Sequence, residues 1–101
     1  MDEGMRVQGY RIDRQMKAFG EHVRGWRMVL GLTAQQVSER AGITRTTLRR
    51  IEAGDAGVGF GNVAQVLRAL GQLDRVVEAA DPLGTDIGRL RAQTLTKRRA
   101  R

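Results

Sequence analysis

The chain has 101 residues, 41% of them apolar and 4% aromatic, with 18 lysines and arginines against 11 acids for a net charge of +7, one histidine and no cysteine. That is enough for one small domain and too little for a large buried active-site cavity, and the missing thiols exclude a disulfide framework and thiolate-bound zinc. The basic balance suits polyanionic partners such as a nucleic-acid backbone, with plain solubility as its equal alternative.

Taken in chain order, residues 1–13 contain no signal-peptide core, and no run approaches the roughly 18 apolar residues of a membrane span. The expectation is a soluble, cytoplasmic protein whose residues 1–13 form a partly disordered arm. Met16, Phe19, Val23, Trp26 and Leu30 then recur at alternating spacings of three and four, which predicts a helix over 15–30 with one buried stripe. Gly31 ends it. Thr33 with Gln36 three positions on forms a capping box, so a second helix runs from Ala34 to about Ala41, buries Val37 and stops at Gly42. Thr44 caps a third helix that reaches Ala53. The glycine-rich "GDAGVGFG" at 54–61 reads as a loop. Phe60, Val63, Val66, Leu67 and Leu70 give a fourth helix one apolar face, and "QLDRVVEAAD" supplies a short fifth one before Pro82. Nothing alternates with period 2, so the fold class is all-α. The domain is expected to span 14–80, and 81–101, which closes on "KRRAR", is expected to be a flexible basic tail.

The third helix carries the functional signal. On a helical wheel Leu48, Ile51 and Glu52 share one side, while Thr46, Arg50 and Ala53 lie opposite, flanked by Arg45 and Arg49. The outward face is small, polar and cationic at once. Such a face suits the DNA major groove: arginine can take guanine O6 and N7 as a bidentate pair, and threonine can hydrogen-bond a base or offer its methyl to thymine. An inward carboxylate at Glu52 is costly unless paired, so it reads as structural. No nucleophile–base pair or paired carboxylates stand out, and the glycine-rich loop lacks the lysine and Ser/Thr of a P-loop. No enzyme, metal site or cofactor is expected.

An eight-residue helix, a glycine-containing turn and a Thr-capped helix have the spacing of a helix-turn-helix. The run "GLTAQQVSERAGITRTTLRRIEAGDAGVGFGNVAQVLRALG" at 31–71 resembles the Xre and phage-repressor family, which implies a compact five-helix, lambda-repressor-like domain. Carried over by position, the resemblance makes Thr44 the cap of the recognition helix. It makes Arg45, Thr46, Arg49 and Arg50 base-facing residues and Thr47 a backbone-contacting hydroxyl. It also pairs Arg27 with Glu52 to brace the first helix against the third. Ala34 departs from the family's glutamine at a phosphate contact, and Thr33, Gln35 and Gln36 complete the candidate DNA-binding set around it.

One such unit reads few base pairs, so a homodimer on a palindromic double-stranded operator is expected. Leu73, Val76 and Val77 are the interface candidates, with ordinary core closure as their alternative. The segment from "ADPLG" to the basic end resembles HipB-like antitoxins, which partner a HipA-type toxin. The sequence thus points to a transcriptional repressor, in its narrower form the antitoxin and autorepressor of such an operon. A free-standing Xre-type repressor and a protein-binding adaptor are the alternatives.

Overall fold

The structure is a computed structural model that describes the backbone of residues 2–100 and the side chains of residues 9–96. The side chains of the closing basic run, 97–101, lie outside the described residues. Six α-helices are present and, among the described residues, no strand: α1 (Asp2–Val29), α2 (Ala34–Ala41), α3 (Arg45–Glu52), α4 (Phe60–Ala69), α5 (Leu73–Ala79) and α6 (Asp86–Ala100), with a 3-10 turn at Pro82–Gly84. The expected count of five is corrected to six. The chain divides between Gly71 and Gln72 into two compact units, so α5 falls in the second unit rather than with residues 14–71.

In the first unit α1 packs on α3, and α2 packs on both α3 and α4. Val23, Val37, Ala41, Leu48, Ile51, Val66 and Leu70 form the buried core, with Phe19, Trp26, Leu32 and Val63 among the residues packed against it. Full burial of each large aliphatic side chain contributes about 1.5–3 kcal/mol. Two residues of the expected stripes are exposed. Leu30 is exposed because α1 has already ended at Val29, and Phe60 is 68% exposed because it is the first residue of α4, a turn short of where that helix meets the core. The only buried polar residue among those described, Ser38, returns its hydroxyl to the Ala34 carbonyl at 2.7 Å.

The long α1 is the largest departure from the expected elements. Its 28 residues span about 42 Å, and it starts at Asp2, where a partly disordered arm is expected. Residues 2–14 contain no proline, and their two glycines weaken a helix without stopping it. The close approach of α1 to α3 depends on glycine. A Cβ at Gly20 would stand 2.5 Å from the Glu52 carbonyl oxygen and 2.7 Å from that of Ile51; at Gly54, where φ is +81°, it would stand 2.7 Å from the Lys17 Cα. At Gly25, in the same helix, a Cβ would meet nothing within 4 Å.

Two alanine substitutions should therefore act with opposite signs. Gly25→Ala is expected to stabilise the protein by about 0.5–1 kcal/mol through helix propensity. Gly20→Ala is expected to destabilise it by about 1–2 kcal/mol, because displacing two packed backbones outweighs the same propensity gain. Thermal melts of the two variants followed by circular dichroism check both signs.

In the second unit the Asp81 carboxylate accepts from the Leu83 N–H at 2.9 Å, which opens the 3-10 turn with Pro82 at its first position. Thr85 then caps α6: its hydroxyl accepts from the Gly88 N–H at 3.0 Å and donates to the Pro82 carbonyl. Arg89 adds a 2.8 Å bond to the Leu83 carbonyl and an ion pair with Asp86. This segment, expected as a flexible tail, is helical from Asp86 to Ala100. It is rich in arginine, leucine and alanine, which favour helix without requiring an apolar face.

Candidate nucleic-acid interface

Two helices of eight residues, α2 and α3, meet at a connector of Gly42, Ile43 and Thr44. Gly42 turns the chain in the left-handed region, φ 68°, and its N–H closes the end of α2 on the Glu39 carbonyl at 3.2 Å. Ile43 then inserts toward the core. The Thr44 hydroxyl accepts from the Thr47 N–H at 3.1 Å and lies 2.9 Å from the Thr47 hydroxyl, so the first turn of α3 is fixed by its own threonines. At the start of α2 the capping box is complete: the Thr33 hydroxyl accepts from the Gln36 N–H at 3.1 Å, and the Gln36 amide oxygen accepts from the Thr33 N–H at 2.9 Å. Neither helix carries an acid in its first turn, so nothing there offsets the positive end of the dipole.

The faces of α3 separate cleanly. Leu48 and Ile51 are buried, Glu52 is half-buried, and Arg45, Thr46, Arg49, Arg50 and Ala53 are exposed. Glu52 is met by Arg27 of α1 in a two-pronged pair: Arg27 Nε donates to one carboxylate oxygen at 2.9 Å and Nη2 to the other at 3.0 Å, with side chains 17% and 12% exposed. A third guanidinium bond reaches the Leu32 carbonyl. The Glu52 carboxylate raises the Arg27 pKa, mainly by accepting these hydrogen bonds, against a smaller opposing effect of burial. Arg45 and Arg49 flank a small cleft that Arg27, Ala34, Leu48 and Glu52 complete. The ion pair is thus the floor beneath two of the exposed arginines.

The remaining candidates divide between this face and other work. Gln36 spends its amide oxygen on the capping box, which leaves its NH2 for an outside acceptor; Gln35 donates to Glu39 at 2.7 Å within α2. Thr47 is half-buried beside Thr44. Leu73, Val76 and Val77 lie on α5 of the second unit, the first two half-buried and Val77 exposed. His22 is exposed and Trp26 is half-buried against the core. Among the described residues no group of His, Cys, Asp and Glu could hold a metal ion, and no helix is long and apolar enough to cross a membrane.

One contact at this face has no counterpart among the sequence expectations. Arg50 Nε donates to Asp55 at 2.7 Å, from the last turn of α3 to the loop beyond it. The five-residue separation crosses a helix end, where wheel geometry no longer applies. The two hydrogen bonds that Asp55 accepts, from Arg50 first and from the Gly57 N–H second, hold its carboxyl below the ordinary aspartate value. Its contribution to the fold is therefore present above the unfolded-state pKa and is lost only as pH falls through the lower folded value. Carbon-detected NMR titration of the Asp55 carboxyl should show a midpoint below that of an unpaired surface aspartate, and Arg50→Ala should move it upward.

A family model described as a helix-turn-helix domain matches residues 18–93, three quarters of the chain. The chain belongs to this helix-turn-helix family. Searches of curated proteins and of solved structures found no match. A helix-turn-helix domain is a DNA-binding unit of the kind found in regulators, with its second helix placed for the major groove, and here that helix is α3. The matched residues begin at Ala18, in the part of α1 that meets α3, and end at Gln93 within α6.

Proposed function

We propose that the chain is a sequence-specific transcriptional repressor that binds double-stranded DNA as a two-fold homodimer, with α3 in the major groove of each half-site. The observation that carries this reading is the outward face of α3, where Arg45, Thr46, Arg49 and Arg50 are exposed while Leu48 and Ile51 are anchored in the core. Arginine and threonine supply the donors and methyl groups that base edges accept. Thr33, Gln35, Gln36, Thr44 and Thr47 complete the DNA-binding set, and the Gln36 NH2, whose amide oxygen is taken by the capping box, is the group offered to a phosphate. Dimerisation follows from the small reach of one module, and half-sites about 34 Å apart would match it. Its support on the chain is the apolar surface of the second unit, where Val77, Leu83, Ile87, Leu90 and Leu95 are exposed and Leu73 and Val76 half-buried.

A narrower form of the proposal makes this repressor the antitoxin of a HipA-type toxin in the cytoplasm. Its support is the "ADPLG" segment, which folds as the Asp81-capped 3-10 turn ahead of α6.

Gel-shift with the DNA upstream of the chain's own gene tests the main reading. A sequence-selective shift that survives competition by random DNA at moderate salt is expected, with a footprint related by two-fold symmetry. No shift at modest salt would favour a protein-binding adaptor with a basic surface instead. Co-expression with a kinase-like product of the neighbouring gene tests the narrower form by co-purification.

A further inference from the structure

The three arginines on the outward face of α3 are not equivalent. Arg45 and Arg49 make no ion pair among the described residues, whereas Arg50 is held by Asp55. The carboxylate is itself fixed: one oxygen takes Arg50 Nε at 2.7 Å, and the other takes the Gly57 N–H at 2.7 Å. Loop backbone, carboxylate and guanidinium are thus joined in one hydrogen-bonded relay at the end of α3. Both side chains remain in contact with solvent, at 48% and 40% exposure, so the relay sits at the surface.

Which nitrogen is taken decides what the arginine can still do. A guanidinium grips guanine O6 and N7 through two parallel N–H groups, either end-on with Nη1 and Nη2 or side-on with Nε and an Nη. With Nε given to Asp55, only the end-on fork remains. Gly57 keeps that fork uncovered, since a Cβ there would stand 3.3 Å from Arg50 Nη2.

We propose that Asp55 is a positioning residue for DNA recognition, which locks Arg50 end-on for bidentate reading of one guanine per half-site and at the same time weakens binding to DNA in general. The inference rests on the DNA-binding reading above. Its two halves have opposite signs. Holding Arg50 in place removes the cost of ordering a long side chain on binding, which is worth about two- to tenfold in affinity for the correct base. A carboxylate close to the phosphates repels every sequence alike. Asp55 therefore trades general affinity for discrimination.

The test compares the full chain with Arg50→Ala, Asp55→Ala and the double variant, first by selection from randomised duplexes and then by fluorescence anisotropy against the selected site, single-base variants of it and random DNA. Arg50→Ala should abolish the preference at one base pair per half-site. Asp55→Ala should reduce the preference at that same base pair by about two- to tenfold while binding random DNA more tightly than the wild type. In the Arg50→Ala background, removing Asp55 should leave discrimination unchanged but still strengthen random binding. A merely structural aspartate would not produce this split, and melting curves confirm that the exposed substitutions leave the fold intact. Unchanged or sharpened discrimination in Asp55→Ala, with a wild type that selects normally, overturns this inference alone. A wild type that enriches no sequence overturns it together with the DNA-binding reading.

Discussion

Arg27→Ala is expected to lower the unfolding free energy by about 2–4 kcal/mol, the largest stability loss anticipated from a single side chain outside the apolar core. The pair it belongs to spans α1 and α3, with both side chains mostly withdrawn from water and both carboxylate oxygens of Glu52 satisfied by one guanidinium. Truncating Arg27 leaves the carboxylate in that place without its partner and also removes the bond to the Leu32 carbonyl. The cost is that of the orphaned charge rather than the net value of the pair. Replacing both residues together, Arg27→Met with Glu52→Leu, should recover most of the loss, because the desolvation of two charges disappears along with their attraction. Urea unfolding of the two single variants and the double variant measures this directly. The pair raises the Arg27 pKa, so the stabilisation tied to its guanidinium charge is lost as pH rises through the folded value, in strong alkali.

Arg45→Ala and Arg49→Ala carry the second large expected effect, on DNA rather than on the fold. Each is expected to cost about 1–3 kcal/mol at particular base pairs of the operator and to relax specificity there. Neither arginine supports the core, so both variants should melt with the wild type. Removing arginines from the C-terminal basic segment should act differently, weakening all sequences alike and reducing the salt dependence of binding. Anisotropy titrations of each variant on the operator and on its single-base variants, repeated at two salt concentrations, separate the two patterns. Operator affinity unaltered in Arg45→Ala and Arg49→Ala would remove these residues from base reading.

The helices that carry the exposed cationic face were legible because each is punctuated by its own chemistry. Thr33 and Gln36 fix the start of α2 wherever it packs, Gly42 ends it, and Thr44 begins α3. The stripe of Val63, Val66 and Leu70 likewise points α4 at the core. Legibility failed where burial does not leave a pattern. The helix α6 has favourable propensity, but its Ile87, Leu90 and Leu95 are exposed and form no clear stripe, so periodicity gives only a weak signal there. The N-terminal half of α1 extends past the core it serves, and only the absence of a breaker in residues 2–14 hinted at its length. Its place on the wheel turns Phe60 inward, although a helix's first residue can precede the contact its later turns make. The Arg50–Asp55 relay belongs to the same class: it joins a helix to a loop, and its geometry exists only once the loop has folded.

The most direct test of the central claim is an amide NMR titration of the chain with a selected operator duplex. The largest shift changes are expected at residues 33–36 and 44–50, the start of α2 and most of α3, with the exposed face of α1 little affected. Large changes confined to other surfaces, with α3 amides unmoved at saturation, would contradict it.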